Sequence, residues 1–319
     1  MKKRIILIYV LSLLFGSNLI AQDYQAIDSV VKNYPKSIAN PYDLINMINY
    51  DFKTDVEKAR AIYTWISLNI VYDVEATSLE ESFSYKSKRN KLSKEKKIRE
   101  KWGRETLAKG MAECEGYATL YYYLCDLIGI ECVVIPGTSR TSLDQIGKLP
   151  ERVNHAWNAI KIDKEWKFVD VTWGAGSFDH STKIFRQKFD ETYFLTSPDR
   201  FFLEHFPLNQ EYLFVNKTKQ DFANLPIFYW NYIKSDYELL SPQSGILDYE
   251  KEGSVRFVFK SEIGVKDISY TFDDEWTTND LEVTKNGDLY EVEVPFGPEK
   301  LNFLTLYYQN RGLMTFKIR

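Results

Sequence analysis

The sequence predicts an α+β core followed by a small all-β unit. Three observations predict it. Two segments repeat apolar residues at helical spacing, a pair of alternating strands lies around residues 155–173, and beyond residue 245 short strands are separated by turn residues. The 319 residues, 15% of them aromatic, suffice for one large core and a smaller one.

At the amino end, Lys2, Lys3 and Arg4 precede an apolar run from Ile5 to Phe15, with small and polar residues up to Ala21. This is the pattern of a secretory signal peptide over residues 1–21, with Leu19 larger than usual at the −3 position. An uncleaved anchor is the alternative, although the run is short for a bilayer span. Gln22 rather than a cysteine follows the cleavage point, so a lipid has no attachment site there. Loss of the three basic residues moves the formal charge from −4 to −7, which argues against a general nucleic-acid binder. No second apolar run reaches transmembrane length. The expectation is a secreted or periplasmic protein with no transmembrane segment after signal removal.

Thr54-Asp-Val-Glu57 reads as a capping box, and Ala59, Ile62, Tyr63, Ile66 and Ile70 give the following helix one apolar face. From Lys86 to Lys101 nine basic residues accompany only Glu95 and Glu100, as a solvated segment or as a basic rim for an acidic partner. Tyr117, Leu120, Tyr121, Leu124, Leu127 and Ile128 mark a second helix that ends at Gly129, with Cys114 on its first turn. A buried strand over 132–135, a polar loop over 137–152, and strands over 155–162 and 166–173 follow, the last two joined by a turn at Asp163-Lys-Glu165. A boundary between Phe222 and Gly245, set at 235/236, divides a core over 22–235 from a β-sandwich over 236–319. Strands are expected there at 254–260, 268–272, 281–284, 289–294, 301–307 and 314–318, punctuated by Lys285-Asn-Gly-Asp288 and Gly297-Pro298.

Three cysteines leave one free thiol or an intermolecular bond. Cys125 and Cys132 either pair or remain buried thiols. A thiolate is the reactive form of cysteine, and the unpaired N–H groups of a helix start favour it. Glu113 and Glu115 oppose that effect, so Cys114 needs a cationic partner, and a histidine supplies one that also moves protons. Of His155, His180 and His205, only His155 begins an apolar alternating strand, whereas His180 lies in a polar run. Asp170 is the candidate to orient the imidazole. With an even hairpin loop, position 155 faces 172 and Asp170 lies one diagonal step away on the same face; an odd loop puts it on the other. Trp157 and Trp173 read as packing residues around this hairpin, or as cleft walls.

The segments Cys114-Glu-Gly-Tyr-Ala118, His155-Ala-Trp-Asn158 and Asp170-Val-Thr-Trp173 resemble, in order, the three core motifs of the transglutaminase-like superfamily. Residues 65–73, 193–198 and 205–207 resemble the branch that includes kyphoscoliosis peptidase and related bacterial exported proteins, so the likeness covers about residues 50–235. It implies a papain-like fold, with Cys114 as nucleophile, His155 as general base and Asp170 as orienter; the sandwich that follows, read from the spacing of its strands, is expected to be immunoglobulin-like. The resemblance also implies chemistry on protein or peptide amides through a thioester, resolved by water or by an amine. The alternative is a catalytically silent module binding an envelope protein or glycan. No acidic loop resembles the calcium sites of animal transglutaminases, and a metal site from Cys114, His155 and Asp170 lacks the usual local ligand spacing, so no metal or other cofactor is expected.

Overall fold

The computed structural model describes residues 24–75, 88–179, 182–251, 253–273 and 277–319. The expected signal segment and His180 lie outside the described residues, as do Lys86 and the side chains up to residue 93 of the basic run. Helices at Tyr24–Val31, Pro41–Asp51 and Asp55–Asn69 open the core. The second starts with Asn40 accepting from the Tyr42 N–H and with Pro41 at the first helical position, where no amide hydrogen is needed. Both halves of the expected capping box are present in the third: Glu57 N–H donates to Thr54 Oγ1 at 3.3 Å, and Thr54 N–H donates to Glu57 Oε2 at 2.8 Å. The same helix buries Arg60, whose Nε and Nη2 reach the two oxygens of Asp28 at 2.9 and 2.7 Å. Thr64 Oγ1 adds a third donor to Asp28 at 2.6 Å, so this charge is compensated inside an apolar core.

The basic run forms part of a 22-residue helix, Lys88–Lys109. The cysteine helix, Cys114–Ile128, ends at Gly129 with φ +86°, a left-handed cap that glycine adopts without strain. It lies on an antiparallel five-stranded sheet in the order Phe194–Thr196, Glu165–Val169, His155–Ile162, Cys132–Ser139, His205–Pro207. Tyr117, Leu120, Tyr121, Leu124 and Cys125 of the helix share one core with Ile160, Ile162 and Val169 of the sheet. Asn158, fully buried, donates to Ala118 O at 2.9 Å and to Val133 O at 3.2 Å, tying helix to sheet near the cysteine end.

The hairpin loop is Asp163-Lys164, both residues at positive φ, as two-residue hairpins favour. Its length is even, and the pairs Asn158↔Val169 and Ile162↔Glu165 follow the register in which 155 would face 172. The expected strand over 166–173 nevertheless stops at Val169. Asp170 caps a short helix, Val171–Ala175, because its Oδ1 accepts from Trp173 N–H at 3.0 Å and gives the backbone a helical alternative to the ladder.

Two further sheets build a β-rich C-terminal region. One runs Ile227–Phe228, Arg311–Ile318, Phe303–Tyr308, Ile268–Phe272, Asn279–Asp280, with Ile246–Leu247 added in parallel on Arg311–Ile318. The other runs Glu238–Ser241, Ser254–Lys260, Leu289–Pro295, Thr284–Asn286. A single apolar cluster contains Phe257, Phe259 and Val292 from one sheet and Ile268, Leu304, Leu306 and Phe316 from the other. The strand expected at 281–284 is replaced by Asn279–Asp280 and Thr284–Asn286, two strands with too few residues to have a readable pattern. Phe228, Tyr232 and Ile233 already belong to this second cluster, ahead of the expected division at residue 236. Arg200 reaches across with Nη1 and Nη2 donating at 3.0 Å to Tyr237 O and Ser235 O. Among the described residues no helix is long and apolar enough to cross a membrane.

Candidate active site

Each of the three predicted residues sits at the end of an element. Cys114 opens its helix, His155 opens its strand, and Asp170 stands between a strand and a short helix. His155 Nε2 lies 2.6 Å from Asp170 Oδ2, with the imidazole 4% exposed and the aspartate fully buried. The Cys114 thiol is near enough to the same imidazole to raise its pKa. Cys114 is itself only 5% exposed.

Burial works against a charge on His155, but the Asp170 carboxylate and then the Cys114 thiol override it and raise the imidazole from 6.5 to about 10. Burial also works against the Asp170 carboxylate, and His155 and His205 together hold it well below the usual carboxylate range. The pair is therefore imidazolium and carboxylate at neutral pH.

A second histidine completes the cluster. His205 Nε2 stands 3.1 Å from the same Oδ2, and because an ionised carboxylate only accepts, this nitrogen carries the proton. Burial lowers His205 to about 4, only partly offset by Asp170, so it is neutral at pH 7. Its ring is stacked on Phe201 at 3.9 Å and flanked by Trp157 at 5.0 Å and Trp173 at 4.4 Å. One ligand atom each from His155, Asp170 and His205 lies within 4.8 Å of the others, a geometry that also suits a metal ion. Both imidazoles face Oδ2 through Nε2, while His205 Nδ1 is buried without a hydrogen-bond partner among the described residues.

Beside His155 opens a cavity of about 680 Å³. Trp173, stacked over the His155 ring at 5.5 Å, walls it, whereas Trp157 is 1% exposed and belongs to the core below. Tyr72, Phe178 and Phe185 form an aromatic side, and Phe228, Tyr229 and Trp230 of the C-terminal region close another. Two buried ionisable residues also border it. Arg140 donates to Phe222 O at 2.6 Å and Leu225 O at 2.9 Å, with burial lowering it to about 10. Burial, then the charge of Asp170, raises Glu204 to about 8, so at neutral pH it is mostly a neutral acid. Thr172 Oγ1, buried and without a partner among the described residues, borders the cavity as well.

Sequence reasoning missed His205, Glu204, Arg140 and Thr172 as members of the site. The segment 205–207 had stood out only by resemblance, and nothing local marks a histidine that reaches an aspartate 35 positions away. Cys125 and Cys132 are free and buried, and the Cys125 thiol is raised by burial and by Cys132 beside it.

A cysteine at a helix start over an antiparallel sheet, with histidine and aspartate from neighbouring strand ends, defines a class that comparison with known proteins identifies. Residues 46–171 match the transglutaminase-like superfamily, and the chain carries a domain of that superfamily. It is related at moderate identity to kyphoscoliosis-peptidase-like proteins. Kyphoscoliosis peptidase of Mus musculus is 33% identical over 171 residues, covering 53% of this chain and 23% of that protein. The Homo sapiens protein of that name is 32% identical over 171 residues, with the same coverage. Hillarin of Drosophila melanogaster is 29% identical over 198 residues, covering 58% of this chain and 22% of its own length. The chain thus spans less than a quarter of the length of each of these three relatives.

Proposed function

We infer that this protein is an exported thiol enzyme acting on protein or peptide amides, with Cys114 as nucleophile, His155 as proton carrier and Asp170 as its orienting anion. The observation that carries the reading is the 2.6 Å contact between His155 Nε2 and a fully buried Asp170, on an imidazole that also neighbours the Cys114 thiol. With Nε2 occupied, Nδ1 is the nitrogen left for the thiol proton. Sulfur attacks the amide carbon, the amide nitrogen leaves with the proton held on His155, and a thioester remains on Cys114. Water then yields an acid, or an amine yields a new amide, with His155 taking the incoming proton. The backbone N–H of Cys114, on the first turn of its helix, is the donor proposed to meet the oxyanion. The relatives named as peptidases favour hydrolysis.

Export is supported by the basic and apolar pattern of residues 1–21. Two sheets sharing one apolar cluster support an immunoglobulin-like sandwich for the C-terminal region. One observation favours a second reading, a non-catalytic binding module: at 5% exposure the Cys114 side chain offers little surface to a substrate. Incubation with a peptide library, acid quench and mass spectrometry of the Cys114 peptide separates the two. The enzyme reading predicts an acyl adduct on Cys114 that is lost in His155→Ala. An unmodified Cys114 with every peptide, together with partner retention unchanged in Cys114→Ser, supports the binding module.

A further inference from the structure

Next to the catalytic cleft lies a second cavity, of about 820 Å³, over the outer face of the C-terminal sheet. Its floor is one strand face: Phe303, Thr305 and Tyr307 alternate along Phe303–Tyr308 and point away from the apolar cluster, which takes Leu304 and Leu306. Asn231, Asn302 and Asp273 stand at its edges, the Asp273 carboxylate accepting from the backbone N–H groups of Asn302 and Phe303, and Leu143 of the core borders it on one side. Tyr229 and Trp230 line this cavity and the catalytic cleft alike, so the two are neighbours separated by one pair of aromatic side chains.

That shared wall is held in position. The Trp230 indole N–H donates to Asp190 Oδ2, and Tyr229 OH meets Thr315 Oγ1 at 2.8 Å. Trp230 is 37% exposed, and Lys188 and Lys234 lie over its ring at 5.8 and 4.9 Å. Neither ammonium is in an ion pair among the described residues.

We propose that the groove over Phe303, Thr305 and Tyr307 is a docking subsite for the extended polypeptide whose amide reaches Cys114, and that the chain crosses between the two cavities at Tyr229–Trp230. The proposal rests on the enzyme reading above and adds where the rest of the substrate lies. A polypeptide with one amide beside His155 must leave the cleft, and this wall opens on a second cavity of ligand size with aromatic faces and polar side chains. The two unpaired ammonium groups at the crossing favour an acidic residue in the segment that passes Trp230. The C-terminal region then selects substrate by length and charge, while Cys114, His155 and Asp170 act on the amide.

The test compares a short acyl donor with an extended donor of about twelve residues, roughly 40 Å at about 3.3 Å per residue, carrying Asp or Glu on either side of the reactive amide. The proposal predicts a KM about tenfold lower for the long acidic peptide. Tyr307→Ala and Phe303→Ala should abolish that advantage and leave kcat and KM for the short donor, and the thermal midpoint, unchanged. Equal KM for the two lengths, equal loss on both substrates, or displacement of the long peptide by oligosaccharides but not by a second unreactive peptide would overturn it. If no donor is turned over, the enzyme reading fails by itself. Fluorescence anisotropy of the labelled long peptide on wild type and Tyr307→Ala then decides the groove, and equal affinity for both overturns it.

Discussion

The carboxylate of Asp170 serves three donors at once: His155, His205 and the Trp173 N–H. His155 carries the charge and His205 does not, a division set by the cost of burying a second cation beside the first. His205 is therefore a positioning residue for Asp170. His205→Leu removes one N–H from Oδ2 and should slow alkylation of Cys114 at pH 7 by about tenfold, the scale seen when a partner of a functional group is lost, while His205→Gln, which keeps a donor, retains most of the rate. Rescue by glutamine separates orientation from mere loss of packing. Glu204 gives a pH prediction. Its acid form is favoured in the fold, from 4.5 to about 8, so its contribution to stability is full below about 4.5 and is lost as the pH rises toward about 8. Glu204→Gln should flatten that loss, raising the thermal midpoint relative to wild type more at pH 8 than at pH 5. At this scale the sequence pointed to Cys114, His155 and Asp170 because each breaks a local pattern. Histidine at an apolar strand start and aspartate inside an apolar run both demand a partner. Glu204 lies in a turn and His205 opens a three-residue edge strand, too short for any pattern to isolate them.

Among elements, the legible ones were those that carry their own stop and start signals. The Thr54 capping box and the Gly129 cap are set by neighbours within a few residues, so they could be read directly, whereas the sequence places the hairpin turn at Asp163-Lys-Glu165 without its length, and Glu165 already belongs to the strand. The end of the strand at Val169 could not, because the choice between ladder and helix at Asp170 depends on a side chain that also faces two distant histidines. The Tyr24–Val31 helix is likewise held from afar, by Asp28 on Arg60. Asp28→Asn leaves the buried Arg60 charge facing only the half-exposed Glu191 carboxylate, 3.7 Å away, and should cost about 3 kcal/mol in urea unfolding, the low end of the range for breaking a buried pair from one side. Thr54→Ala, which removes a cap on an exposed helix end, should cost only about 1 kcal/mol. A ratio near one between these two losses would contradict the assignment of Arg60 and Asp28 as a buried pair.

At the level of the whole molecule, the cleft belongs to both regions. Phe228, Tyr229 and Trp230 follow the core in sequence, join the second apolar region or its edge, and face His155 across the cavity. Arg200 fixes this arrangement through the carbonyls of Ser235 and Tyr237. Arg200→Met should make the chain between 225 and 245 more open to limited proteolysis, with cleavage faster than in wild type at equal thermal midpoint. Composition and spacing could give two cores and their order. They could not give a wall contributed by one unit to the other, since that contact has no local sequence signal.

The central claim is that Cys114 and His155 work as one unit anchored by Asp170. Timed alkylation of Cys114 by iodoacetamide at pH 7, read by mass spectrometry in wild type, His155→Ala and Asp170→Asn, addresses it most directly. The account predicts modification faster than that of a free model thiol in wild type, and slowed by about tenfold or more in both variants. A Cys114 that reacts more slowly than the model thiol and at the same rate in all three proteins would contradict it.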